Sequence, residues 1–283
     1  MSVNVLVQGG LGNQLFQVAW AYYLKDKLKF DVNLNVHLFY QQRQHSSVSF
    51  FSLLGELETI PISEERILTF NDDLLSKIIR FSLRKMKINH VPNILIYDYD
   101  ALSSLDDDCL KIPMPNYHYG YFQFPDAALY SSDFLRVSIA NKHGNLMGDI
   151  GNNISDHVGI HIRRGDFVTS SSKLHVASDI EYISNAIEKF PGRRFMVFSD
   201  DIDWCKKHLP KISSIDYFSG KSAIEDFIGL MCCQDYILSG STFSWWAAIL
   251  NGNKSTKVII PNSDAQFMSE QSNKKIGWNY ERV

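Results

Sequence analysis

The sequence predicts an α/β protein built of two domains, and three observations predict it. The chain opens with a short β-branched run, VNVLVQ, then a glycine-rich turn, GGLGN, then an apolar helical pattern, QLFQVAWAYYLKDKLK. Its second half repeats the alternation of strand-like and helix-like stretches. At 283 residues it is also long for one compact core, given about 150 residues per domain.

In the first helix Leu15, Val18, Ala19, Tyr22 and Tyr23 recur at helical spacing. DVNLNV reads as a second strand, with helical candidates after it near SEERILTF and NDDLLSKIIRFSLRKM. YHYGYFQF begins as a strand, and Pro125 suits the first position of the helix that follows. Residues 141–157, NKHGNLMGDIGNNISDH, are rich in Gly and Asn and lack periodicity, so the interdomain connection is placed there. The domains are then residues 1–140 and 151–283. Beyond the connection HVGIHIR, RRFMVFSD, QDYILSG and KVIIPN read as strands, the last being the final one. DIEYISNAIEKF, DIDWCKKHL, SAIEDFIGLMCCQ and TFSWWAAILNG read as the helices that alternate with them. Such an order implies a parallel sheet covered by helices, with ligands beyond the carboxyl ends of its strands.

Composition excludes several classes. A formal charge of -3 with scattered basic residues offers no broad positive surface to a nucleic-acid backbone. No window reaches the ~18 apolar residues that spanning a bilayer requires, and the N-terminus lacks a leader pattern, so a cytoplasmic protein is expected. Cys109, Cys205, Cys232 and Cys233 lack metal-ligand spacing and read as reduced thiols.

Four motifs carry the chemistry. In GGLGNQ, the turn between strand and helix brings backbone N–H groups and a helix dipole toward an anionic ligand through Gly10 and Gly12. Asn13 and Gln14 can hydrogen-bond a hydroxyl-rich ligand; the plain alternative is a tight turn with Asn13 as helix cap. In VGIHIRRGDF, Val158, Ile160 and Ile162 face one side, while His161 and Arg163 face the other. A guanidinium fork at a strand end matches two phosphate oxygens, and Arg164 points oppositely to anchor the loop or pair with Asp166. Gly165 lets the chain turn away from the ligand. In FSDD, Ser199 and Asp200 read as helix caps, and Asp201 with Asp203 forms a D-x-D spacing that can hold a divalent metal. In GSTFSWW, Ser241, Thr242 and Ser244 gather hydroxyls and amides at a helix start, whereas Trp245 and Trp246 read as core. Upstream, Glu225 and Asp226 precede an apolar helix and can accept hydrogen bonds from a ribose or a guanine edge.

Taken in order, GGLGNQLFQ, HIRRGD, FSDD and GSTFSWW, with YGYFQ, resemble the α-1,2-fucosyltransferase family in its bacterial, anchor-free form, over residues 3 to about 262. The resemblance implies a GT-B-like fold, two Rossmann-like domains facing each other across a cleft, and inverting transfer of L-fucose from GDP-L-fucose to a terminal galactose without a required metal or other cofactor. On its HxRR pattern Arg163 is expected to hold the β-phosphate, with His161 and Arg164 supporting the donor and Asn13 reaching across the cleft. By looser similarity Asp226 reads the nucleoside and Ser241, Thr242, Phe243 and Ser244 flank the diphosphate.

The chemistry agrees with that resemblance. Negative charge grows on the departing diphosphate, so preorganised donors aimed at it supply catalysis. Asp166 is the expected base for the acceptor hydroxyl. The expected acceptor is a galactose-terminated glycan, free or lipid-linked, in O-antigen synthesis, with at most peripheral contact at the inner membrane; loops within residues 37–120 are expected to select it. Two alternatives stand beside this reading: a metal-dependent nucleotide-sugar transferase using Asp201 and Asp203, and a non-catalytic nucleotide-sugar-binding protein.

Overall fold

A computed structural model describes residues 2–41, 49–65, 78, 82, 90–91, 94–96, 116–165, 180–212, 214–253, 255–263 and 265–283. The chain forms two compact units, residues 1–138 and 139–283. Among the described residues no helix is long and apolar enough to cross a membrane.

In the first unit, β1 (Val3–Leu6) leads into α1 (Leu11–Tyr22), which continues as a π-helical turn over Tyr23–Lys27. Then come β2 (Val32–Asn35), α2 (His37–Gln41), α3 (Phe50–Leu54), β3 (Ile62–Ser63), β4 (His90–Val91), β5 (Ile94–Ile96) and β6 (Tyr117–Tyr119). The sheet order is β3-β2-β1-β6-β5-β4. All neighbours are parallel except β4 and β5. β1 is buried at every position, as a strand covered on both faces must be. Of residues 11–21 only Asn13 escapes burial.

Helix α4 (Pro125–Ile154) begins at the expected proline but runs for 30 residues, straight through the predicted connection, with non-helical dihedrals at His143. Residues 141–153 carry no buried position, so periodicity could not reveal a helix there.

The second unit contains β7 (Val158–Ile162), α5 (Ile180–Glu188), β8 (Phe195–Ser199), α6 (Ile202–His208), β9 (Ile215–Tyr217), α7 (Ala223–Cys232), β10 (Asp235–Ile237), α8 (Thr242–Asn251), β11 (Lys257–Ile260), α9 (Glu270–Ile276) and β12 (Asn279–Arg282). Its order, β12-β11-β10-β7-β8-β9, is the doubly wound 3-2-1-4-5-6 arrangement read from the other edge, with every neighbouring pair parallel. Thus β12, not KVIIPN, is the last strand. Trp245 and Trp246 are fully buried, as expected of core residues. Cys205, Cys232 and Cys233 are free thiols; Cys109 lies outside the described residues, as does nearly all of the helical region predicted beyond Glu65.

Val158, Ile160 and Ile162 pack into one apolar cluster with Ile183 and Ala186 of α5 and Val197 of β8. The opposite face of β7 is not open, because α7 and α8 cover it: all five residues of the strand are buried, His161 included. The armed face expected for this strand is therefore confined to its end, where Arg163 emerges.

Candidate functional site

In a doubly wound sheet, the crevice lies where the strand order reverses, outside the carboxyl ends of the two central strands. In the second unit these are β7 and β10. His161 near the end of β7 meets Ser239 just after β10, its Nδ1 2.6 Å from the Ser239 hydroxyl. Its ring stacks on Phe243 at 5.3 Å between centroids, in the first turn of α8. Burial, then the neighbouring Arg163 charge, pushes the His161 pKa down to about 3. The imidazole is thus neutral near pH 7, and His161 serves as a rigid spacer between β7 and α8 rather than as a charged phosphate ligand.

Because the unfolded chain takes up a proton near pH 6.5 that the folded state refuses until about pH 3, this contribution to stability is complete above pH 6.5 and is lost as pH falls through that window. The slope approaches about 1.4 kcal/mol per pH unit. Urea titrations between about pH 7 and pH 5 are expected to show a shallower acid loss in His161→Asn than in the parent.

Arg163 stands just beyond the strand, its side chain 39% exposed, and its Nη1 lies 3.0 Å from Oδ2 of Asp200. Asp200 also accepts the Arg164 backbone N–H at 2.9 Å. The register of β7 with β8, His161 opposite Phe198 and Ile162 opposite Ser199, brings these groups together. Asp200 is consequently a buttress for the arginine loop and not a helix cap; Asp201, one residue later, caps α6 by accepting from Trp204 N–H. Gly165 has a more specific reason than a free turn, since a Cβ there would stand 2.8 Å from the Asp200 carboxylate.

Arg164 turns the other way, with its guanidinium 3.6 Å above the Trp204 ring and its Nε 3.4 Å from Asp201. Its role is to hold the loop on α6. Asp166 lies outside the described residues.

α8 is capped by the Ser241 hydroxyl, which accepts from the Phe243 N–H. Ser244 is buried and its hydroxyl donates back to the Ser241 carbonyl. The expected row of ligand-facing hydroxyls therefore shrinks: Ser241 and Ser244 complete the helix start, and Thr242 and Phe243 remain partly exposed.

At the same edge of the sheet, a cleft of about 320 Å3 opens beyond β8 and β9, lined by Ser199, Asp203, Lys206, Tyr217, Gly220 and Asp226 among others. Asp226 accepts the Gly220 N–H at 3.2 Å, and burial raises its pKa. Glu225 instead accepts the Lys221 N–H while its own N–H donates to the Ser222 cap, a helix-start role. Sequence reading missed the cleft's other walls because β9 is three residues long and carries no alternation.

The first unit has its own reversal point, between β1 and β6. Gly9, at φ +78°, occupies the left-handed region and approaches the Tyr121 ring. Gly10 is the N-cap of α1, without a side-chain cap, so Asn13 is not the cap. A Cβ at Gly10 would meet nothing within 4 Å. Gly12 is buried within the helix. Gln14, expected to face a ligand, is buried: its Nε2 donates to Gly9 O at 2.8 Å and its Oε1 accepts from Phe50 N–H at 2.8 Å. Those bonds make it a brace between the turn and α3.

The sequence pattern of Glycosyl transferase family 11 matches residues 2–282. The chain belongs to glycosyl transferase family 11. Among its relatives, the O-antigen biosynthesis glycosyltransferase WbnK of Escherichia coli is 29% identical over 295 residues, covering 90% of this chain and 92% of the relative. An alpha-1,2-colitosyltransferase of Escherichia coli is 25% identical, covering 92% of each. The mouse galactoside 2-alpha-L-fucosyltransferase Sec1 is 35% identical over 112 residues, 36% of this chain and 30% of that protein. The family 11 chain is thus a glycosyltransferase. Its arginine loop, the α8 start and the cleft beyond β8 and β9 all lie at the carboxyl edge of one parallel sheet.

Proposed function

We propose that this chain is an inverting α-1,2-fucosyltransferase that moves L-fucose from GDP-L-fucose to the terminal β-galactose of an O-antigen glycan, free or lipid-linked. The observation that carries the reading is Arg163, held by Asp200 just beyond the end of β7, two residues after His161, whose ring stacks on Phe243 in the first turn of α8. A buttressed guanidinium with a helix N-terminus beside it suits a diphosphate, and both donors gain strength as that diphosphate departs. The galactose 2-hydroxyl oxygen bonds to fucose C1 as the C1–O bond to the diphosphate breaks. Its proton passes to Asp166, the base we assign, and attack opposite the leaving group inverts C1. In the cleft, Asp226 offers an acceptor to a purine edge. Asn13, in the first unit, is assigned to a sugar oxygen.

The reaction as proposed needs no metal or other cofactor, since Arg163 and the α8 amides face the charge that forms. Asp201, one half of the alternative D-x-D site, is already committed to the α6 cap and to Arg164, which weakens the metal-dependent reading. The proposed setting is the cytoplasmic side of the inner membrane, in peripheral contact at most.

A second donor is favoured by one observation, the full-length similarity to an alpha-1,2-colitosyltransferase. The deciding assay supplies GDP-L-fucose or GDP-colitose with a panel of β-galactosides, with and without chelator, and reads the new linkage by NMR. Fucose on the galactose 2-oxygen, undiminished by chelator, is the expected result. Transfer of colitose alone would correct the donor, and saturable GDP binding without any product would favour a nucleotide-sugar-binding protein.

A further inference from the structure

At the reversal point of the first sheet Asn13, assigned above to a sugar oxygen, is paired with a second side-chain amide, Gln123, that the assignment does not use. Gln123 is 1% exposed, and its Nε2 donates to Asn13 Oδ1 at 3.1 Å. Its own Oε1 is buried and has no hydrogen-bond partner. A buried acceptor left unpaired is unfavourable and rare in folded proteins, so stability alone does not account for this amide. The chain also takes a strained path to place it. Phe122, the preceding residue, has φ +48°, a left-handed conformation that a bulky side chain rarely accepts, and its buried ring stacks on Trp20 at 5.6 Å. The Gly120 carbonyl is tied to α1 by the Gln17 amide at 2.7 Å. Strain of this kind persists only where the surroundings over-determine it.

We propose that Gln123 is a positioning residue, whose amide N–H fixes the orientation of Asn13 so that Asn13 presents its NH2 group, a donor, to an oxygen of the bound sugar substrate. An asparagine amide can offer either end, and the two ends recognise opposite partners. With Oδ1 held by Gln123, the end left for a ligand at the one unburied position of residues 11–21 is Nδ2. The inference rests on the reading that Asn13 touches substrate.

The test is a mutant cycle with Gln123→Met, which keeps the volume and removes the donor, and Asn13→Asp, which keeps the acceptor for Gln123 but presents a second oxygen to the ligand. Gln123→Met is expected to lower kcat/KM at least tenfold with an unchanged Tm and an unchanged Kd for GDP, and to add nothing to the loss in Asn13→Asp. Wild-type kcat/KM in Gln123→Met, or an equal further loss in the Asn13→Asp background, would overturn the inference. Gln123→Leu, read the same way, stands in if the methionine variant misfolds. Wild-type turnover in Asn13→Asp would instead remove Asn13 from the site, a failure of the functional reading that is separately visible.

Discussion

Arg163→Ala is expected to cut fucosyl transfer about 100- to 1,000-fold, the range typical of losing one preorganised donor to a developing anion. The fold should hardly notice. The Arg163–Asp200 pair is more than a quarter exposed on both sides, and ion pairs so exposed contribute no more than about 1 kcal/mol. An unchanged melting temperature with collapsed turnover, followed as GDP released in the presence of acceptor, is therefore the signature sought. Arg163→Lys should recover only part of the rate, because an ammonium supplies the charge without the two-pronged match to phosphate oxygens. Asp200→Asn should fall between parent and Arg163→Ala: its amide still accepts the Arg164 N–H, but the charge that holds the guanidinium in place is gone. Near-normal turnover in Arg163→Ala would refute the assignment of the diphosphate to this loop.

Asp226→Asn should weaken GDP binding about tenfold to a hundredfold, as expected when a hydrogen bond to a charged group, worth about 1.5–3 kcal/mol, is lost. The amide oxygen can still accept from Gly220 N–H, so the loop keeps its anchor. What the substitution replaces is the second carboxylate oxygen, where a purine edge needs acceptors and would now meet a donor. Calorimetry with GDP reads the change directly. The raised Asp226 pKa adds a pH dependence with a definite sign: burial, its largest cause, favours the protonated form, so nucleotide affinity should decline with acid sooner than an ordinary carboxylate would allow. Equal GDP affinity in parent and variant would place the base elsewhere.

The strands and helices of the second unit were largely legible because short apolar runs, as in VGIHI and FMVFS, alternate with longer stretches of helical apolar spacing. Short pieces escaped notice. β3 has two residues and β9 three, too few for alternation to register. The 30-residue helix from Pro125 outlasts its own apolar pattern, because its second half is exposed and rich in Gly and Asn, residues of weak helical preference. The arginine loop stood out as charge where a buried strand should end. Its buttress did not, since Asp200 lies 37 residues beyond Arg163 and only the pairing of β7 with β8 joins them. Gln14 misled for the converse reason: its type suits a sugar ligand, but its burial against α3 depends on a contact 36 residues away.

By itself, then, the sequence determined what repeats locally: two α/β halves, the glycine turn before α1, and the arginines at the close of β7. Tertiary structure alone decided which polar groups remain for a ligand. Asn13 is left partly open while Gln14 is consumed, and Arg163 is braced toward the sheet edge while Arg164 is laid on Trp204. The physical reason is that period and propensity act over a few neighbouring residues, whereas burial and hydrogen-bond satisfaction are settled by partners brought together only when the sheet assembles.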